Sequence, residues 1–327
     1  MDQPVVDLQW VALLFAVMSG SMACAPRPVA QSWGFRENEQ VSLARRWFKA
    51  ATTCLNWADF TACYSIYAVQ TISTLTITAH LLGCSNSYLV LLASAIRIAQ
   101  GLGLHRLGGE CSEQSSGLVE RETGRRLWSH LCIQDWFSIP FSESYLIHHF
   151  CFNTEKPRNC HEDMRILPDN TPTVVSYNRF LYEIAAVMPQ LQDDMAASNT
   201  LYTKYEQVVK YDNQMRTLAT QHIPDCLKDA SLDSSWPPHV LWSRHCLAMS
   251  FSHKIIMIHR KFLSLSFTNP AFSFTRNTCI AASKTILGQQ KRMVDKNMPV
   301  LWIHHAFTVA AGVSIAIFSQ PYINRHD

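Results

Sequence analysis

The chain has 327 residues, 48% of them hydrophobic and 16% charged, with a formal net charge of +3. That balance belongs to a folded globular protein long enough to bury a substantial core, and it excludes a disordered, charge-rich chain. No Lys/Arg run is longer than a pair, so none reads as a nucleic-acid patch, and Arg45-Arg46 and Arg125-Arg126 read as solvated faces or internal ion pairs.

The eleven cysteines are scattered and odd in number, which argues against a disulfide framework and for buried free thiols. A secretory leader is not read from the opening residues: Val5 to Met18 is apolar, but Asp2 and Asp7 are acidic and no basic region precedes it. The apolar stretch Ala306 to Ser319 is shorter than the ~20 residues a bilayer requires. Thr71 to Ile98 is long enough but carries His80, Asn86 and several hydroxyls, so no membrane partner is expected.

In chain order, Asp7 to Met18 is expected to be helical, with Leu8, Val11, Phe15 and Met18 sharing a face. Pro26, Pro28 and Gly34 break the chain before a second helix over about Glu37 to Leu55. A third is expected from Asp59 to Leu82, closed by Gly83. Next, Asn86 is positioned as an N-cap, Leu89, Leu92, Ile96 and Ala99 form one apolar stripe, and Gly101 and Gly103 end the helix. After a polar loop from Cys111 to Gly117, Ser115 or Ser116 offers a cap for a helix whose Leu127, Trp128, Leu131, Cys132, Asp135 and Ile139 share a face. Ser142 to Thr173 is the longest irregular stretch. Helices are then expected from Ser176, over Leu201 to Gln221, Val240 to Leu263, Thr275 to Met293 and Pro299 to Ser319.

No strand-like alternation and no βαβ rhythm occurs. A prior of roughly 150 residues per domain suggests two domains, but no break in composition marks a boundary. The expected fold is therefore all-α, a single large helical domain over 1–327 with about ten helices.

Asp135 is the anomaly, because a carboxylate inside an apolar stripe costs several kcal/mol unless it is partnered. Arg97, Arg106, Arg125 and Arg126 are the nearby cations, and a guanidinium can hold a carboxylate through two bonds. Two packed helices locked by an Arg–Asp contact are the expectation.

These residues also form a recognisable pattern. Ala95, Arg97, Ala99, Gly103-Leu104-His105-Arg106, Glu120, Arg125-Arg126-Leu127-Trp128 and Asp135 together resemble the middle homology region of fungal zinc-cluster (Zn2Cys6) transcription factors. Pro157-Arg158-Asn159 with Glu162-Asp163, Ile258-His259-Arg260, Ala281-Ala282 and Gly312 continue the resemblance more weakly. Arg97, Gly103, His105, Arg106, Arg125, Arg126, Trp128 and Asp135 are thereby marked as the structural motif. One departure is that Phe141 to Ile147 stands where family members often carry a Gly-Arg-Pro-like turn.

Chemistry beyond this is sparse. Tetrahedral thiolate sites are built on Cys-x-x-Cys turns, and none exists here, so no zinc cluster is expected in this chain. No metal site is assigned to the loop residues His148, His149, Cys151, Cys160 and His161. A nucleophile elbow and a P-loop are missing, and Gly101-Leu-Gly103 ends a helix rather than starting one. His105 beside Asp135 as a base and its orienter is outweighed by a packed interhelical hydrogen bond. No catalytic residue is assigned, and Trp128, Trp136 and Tyr145 are the candidates for a ligand pocket.

The resemblance implies a nuclear, non-enzymatic regulator of transcription, tuning a metabolic or secondary-metabolite gene set. It implies a possible small-molecule effector and homo- or heterodimerisation with other zinc-cluster regulators. DNA and zinc would enter only through an N-terminal cluster absent from this sequence. The rival readings are a headless partner of full-length regulators and a small-molecule enzyme on a helical scaffold.

Overall fold

Asp7 opens the first helix by accepting hydrogen bonds from the backbone N–H groups of Gln9 and Trp10 (2.8 and 3.4 Å), and Pro26 follows its end. The computed structural model describes residues 6–108, 117–229, 233–299 and 301–319. Its helices are α1 (Leu8–Cys24), α2 (Arg27–Ser32), α3 (Glu37–Trp57), α4 (Ile66–Ala79), α5 (Ser85–Gly101), α6 (Leu118–Ser142), α7 (Ser176–Ala197), α8 (Leu201–Thr217), α9 (His239–His259), α10 (Leu265–Thr268), α11 (Ser273–Asp295) and α12 (Trp302–Ser319). Ten of these exceed six residues, and no strand occurs among the described residues, where the only ladder contact is an isolated bridge between Cys160 and Ile166. The fold is all-α. No helix among the described residues is long and apolar enough to cross a membrane.

The helices group into two compact units, one of residues 1–136 with 145–166, the other of 137–144 with 167–327. In the first, α1 packs on α3 and α4, and α4 on α5. Ala12 and Ala16 of α1 and Ala44 and Ala51 of α3 are fully buried, as are Ala68, Val69, Ile72 and Leu75 of α4. Leu8, Val11, Phe15 and Met18, expected to form the inner face of α1, are only half-buried. α1 is apolar almost all round, so apolar spacing does not single out its inner face.

Two boundaries also differ from expectation. The third helix starts at Ile66, capped by Ser65, because Asp59 adopts a left-handed turn (φ 46°) first. α5 begins at Ser85, so Asn86 lies inside its first turn, and Leu89 is exposed while Tyr88, Leu92, Ala95, Ile96 and Ala99 face inward. The Cys111–Gly117 loop and its Ser115 or Ser116 cap lie outside the described residues, apart from Gly117.

In the second unit α9 packs on α11, α11 on α12, and α7 on α8. Cys246, Met249, Ile256, Cys279, Ile286, Met293 and Phe307 form its core. α9 is buried on nearly every side and carries His253, Lys254 and His259 into that core.

Candidate functional site

The motif residues converge at the end of α5. Gly103 takes a left-handed conformation (φ 76°), which turns the chain into a single helical turn over Leu104–Arg106. A returning segment lies along this turn. The Thr154 hydroxyl donates to the Leu104 carbonyl (2.6 Å) and accepts from the Leu107 N–H (2.9 Å), while the Asn153 N–H donates to the His105 carbonyl (3.1 Å). Two glycines make room for this packing. A Cβ on Gly124 of α6 would sit 2.6 Å from Leu107 Cδ1, and one on Gly108 would collide with the Asn153 carbonyl.

α6 then clips the turn and the returning segment together with charge. Arg125 is only 2% exposed. It donates to the Leu107 carbonyl (3.3 Å), pairs with Glu155 at 2.7 Å and lies 3.9 Å from Glu122. Glu122 also accepts the Arg158 N–H at 3.1 Å and faces Arg126 at 3.5 Å. Arg126 donates to the Cys160 thiol at 3.1 Å. Burial pushes the Glu122 carboxyl above its usual range, and the Arg158 amide and the two guanidinium groups only partly oppose it. Guanidinium suits this place because its planar fork serves a carbonyl and two carboxylates at once.

Asp135 is buried, as its position in the apolar stripe requires, but its expected arginine partner is replaced by backbone. The N–H groups of Leu146 (2.8 Å) and Ile147 (2.7 Å) donate to its carboxylate, and the neighbouring Trp136 indole donates to the Ile147 carbonyl (2.8 Å). Burial raises the Asp135 carboxyl above its usual range, with the Ile147 and Leu146 amides pulling the other way and no guanidinium contributing. The Arg–Asp lock is therefore a correction: Arg125 and Arg126 are engaged by glutamates, and Arg97 and Arg106 are exposed. Nor does Asp135 raise the basicity of His105, whose imidazole is held below its usual pKa by burial and by Arg106.

The aromatic trio separates. Trp128 and Trp136 are buried and pack against Phe152 (ring centroids 5.6 and 6.4 Å apart), whereas Tyr145 hydrogen-bonds His148 at 2.9 Å. A groove of about 550 Å³ opens beside the turn instead, lined by Tyr64, Arg97, Gln100, Gly101, Gly103, His105, Arg106 and Cys151. Glu122, Gly124, Thr154 and Glu155 are the participants that sequence reasoning missed. Only Gly124 carried a signal, a glycine inside a helix, which marks a close approach.

A six-cysteine zinc cluster does not fit these residues. No two cysteines have Cys-x-x-Cys spacing, and no described cysteine joins a group of potential metal ligands.

The fold and the motif together define an all-helical body in which His105, Arg125, Arg126, Trp128 and Asp135 fasten a returning segment, while Arg97 and Arg106 stay exposed. Comparison with known proteins gives this body its relatives. The Cep3 family, a subunit of the centromere DNA-binding protein complex CBF3, matches residues 12–157. The agnestins biosynthesis cluster transcription factor AgnL11 of Paecilomyces divaricatus is 24% identical over 80% of this chain and 41% of its own length. The probable transcription factor lepB of Aspergillus flavus is 23% identical over 95% of this chain and 59% of its own. The Zn(2)-C6 fungal-type transcription factor pigI of Monascus ruber is 23% identical over 89% of this chain and 36% of its own. Over most of its length the chain is similar to proteins named as fungal transcription factors, some of them named for the Zn(2)-C6 type. It spans between 36 and 59% of the length of these three proteins.

Proposed function

We propose that this chain is the regulatory body of a zinc-cluster type transcription regulator that acts in the nucleus on a metabolic or secondary-metabolite gene set. The observation that carries this reading is the breadth of the similarity: proteins named as transcription factors, one of them for a biosynthesis cluster, align with 80 to 95% of the chain. DNA contact of the zinc-cluster kind needs paired cysteines that this sequence does not contain. It is supplied either elsewhere on the same polypeptide or by a homologous partner with which this body dimerises. A small-molecule effector acts on the helical body.

The test is to tether residues 1–327 to a heterologous DNA-binding domain upstream of a reporter in a fungal host. Reporter output is expected to change several-fold, up or down, relative to the DNA-binding domain alone. Unchanged output from a fusion that accumulates in the nucleus contradicts the reading. The match of residues 12–157 to a component of a centromere complex favours one alternative, a kinetochore scaffold. Chromatin immunoprecipitation separates the two: enrichment at promoters supports the regulator, and enrichment confined to centromeres supports the scaffold.

A further inference from the structure

The groove beside the Leu104–Arg106 turn is chemically one-sided. Two guanidinium groups, Arg97 and Arg106, line it together with Tyr64, Gln100 and His105, and among the described residues no carboxylate does. Neither guanidinium joins an ion pair among the described residues, and the contact that Arg97 makes with Gln100 is a long one, Nη1 donating to Oε1 at 3.5 Å. Both arginines are exposed at the rim, while the Nδ1 atom of His105 is buried with no hydrogen-bond partner. Contrast Arg125 of α6, which meets two glutamates and a carbonyl.

A bland account exists. Cations are favoured near a helix C-terminus, and α5 ends at Gly101 in the groove wall. A helix end carries about half a negative charge, which leaves most of two full positive charges uncompensated. Two like charges that share one concavity repel each other, and an anion placed between them relieves the repulsion and takes charge-assisted hydrogen bonds from both. Gly101 also keeps the groove shaped: a Cβ there would sit 2.5 Å from the Tyr64 ring, so only glycine lets that ring lie against the helix end.

We propose that this groove binds a small anion bearing a carboxylate or phosphate group, with Arg97 and Arg106 as the cationic clamps and Gln100 and Tyr64 as the neutral wall. The proposal stands apart from the transcriptional reading, because it concerns binding to the isolated chain.

The experiment titrates the full chain with inorganic phosphate and, separately, with citrate, holding ionic strength constant with sodium chloride and reading heat release and thermal melting. At least one anion is expected to bind saturably and to raise the melting temperature beyond the chloride control. Arg97→Gln and Arg106→Gln are each expected to weaken that binding about tenfold or more, the loss of one charge-assisted contact. Arg46→Gln, an exposed arginine on α3, is expected to leave it unchanged. Both groove variants remove exposed side chains, so their melts in chloride alone should match the parent. Binding of phosphate alone assigns a phosphoryl ligand, and binding of citrate alone assigns a carboxylate. Shifts no larger than chloride gives, or equal binding by all variants, overturn the proposal.

Discussion

Each unit of the molecule buries an aspartate, and the two are satisfied in opposite ways. Asp135 in the first unit rests on the amides of Leu146 and Ile147. Asp212 in the second is fully buried, with Arg216 at 2.7 Å, one turn along α8, and His259 of α9 at 3.3 Å. His259 continues into the Thr275 hydroxyl at 2.8 Å. Burial raises the carboxyl of either residue. At Asp135 the amides fail to offset it and the carboxyl stays above its usual range, whereas at Asp212 the His259 and Arg216 contacts outweigh it and the carboxyl falls below. Neutral dipoles satisfy a buried charge, but a neighbouring guanidinium with a further side-chain hydrogen bond reverses the direction of its shift. The difference also separates two jobs. Asp212 ties helix to helix, while Asp135 ties a helix to a segment with no regular structure.

Arg125→Ala is expected to have the largest effect, a loss of about 3–5 kcal/mol in urea unfolding, because it removes a buried guanidinium that serves Glu155, the Leu107 carbonyl and Glu122 together. A loss below about 1 kcal/mol would show that the clip between α6 and the returning segment does not hold the unit together.

Asp212→Ala is expected to cost about 3 kcal/mol, since it leaves His259 buried without its carboxylate. Asp135→Ala should cost about 2–3 kcal/mol by orphaning two amides, and Asp135→Asn about 1 kcal/mol, because one carbonyl oxygen still accepts. Stability against pH sharpens the contrast. Asp212, with a lowered folded value, contributes stability that is present above pH ~4 and lost as the pH falls. Asp135, with a raised folded value, holds its proton longer when folded, so its contribution declines as the pH rises from ~4 through the raised value. Wild type minus Asp135→Asn and wild type minus Asp212→Asn should therefore slope in opposite directions. Parallel slopes break the comparison.

One expected effect is a gain. Lys254 is buried against the Phe137 ring (3.8 Å), and burial brings its ammonium down to about 7. A lowered lysine value means that folding is penalised wherever the ammonium is charged in both states, and that the penalty fades as the pH climbs above 7. Lys254→Met is expected to stabilise by about 1–2 kcal/mol near pH 6, less than full desolvation because the ring contact offsets part of it. The gain should shrink towards pH 10. A constant gain across that range would mean that the charge is not what costs stability.

Helices were legible because their signal is local. Apolar spacing, caps and glycine stops lie within a few residues of the backbone they shape, and α3, α7, α8, α9, α11 and α12 stand within a few residues of expectation. The burial of Asp135 and its need for a partner were legible for the same reason. The partner was not, because every residue except proline carries an N–H, so nothing in the side chains of Leu146 and Ile147 announces the donors. Choosing arginine followed chemical type, and the structure had already committed Arg125 to Glu155, thirty residues away. Thr154 escaped likewise: a hydroxyl in an irregular stretch has no periodicity to reveal that it bridges Leu104 and Leu107. The inner face of α1 was misjudged because the helix is apolar nearly all round, so hydrophobic spacing does not single out the side that carries Ala12 and Ala16.

The claim that carries the rest is that Asp135 anchors the returning segment through backbone amides. Amide hydrogen exchange at Leu146 and Ile147 measures this directly. Both amides are expected to be protected in the native protein and to lose that protection in Asp135→Ala, while the core amides of α4 stay slow. Exchange at Leu146 and Ile147 as fast as in an open loop, or protection unchanged by the substitution, would contradict it.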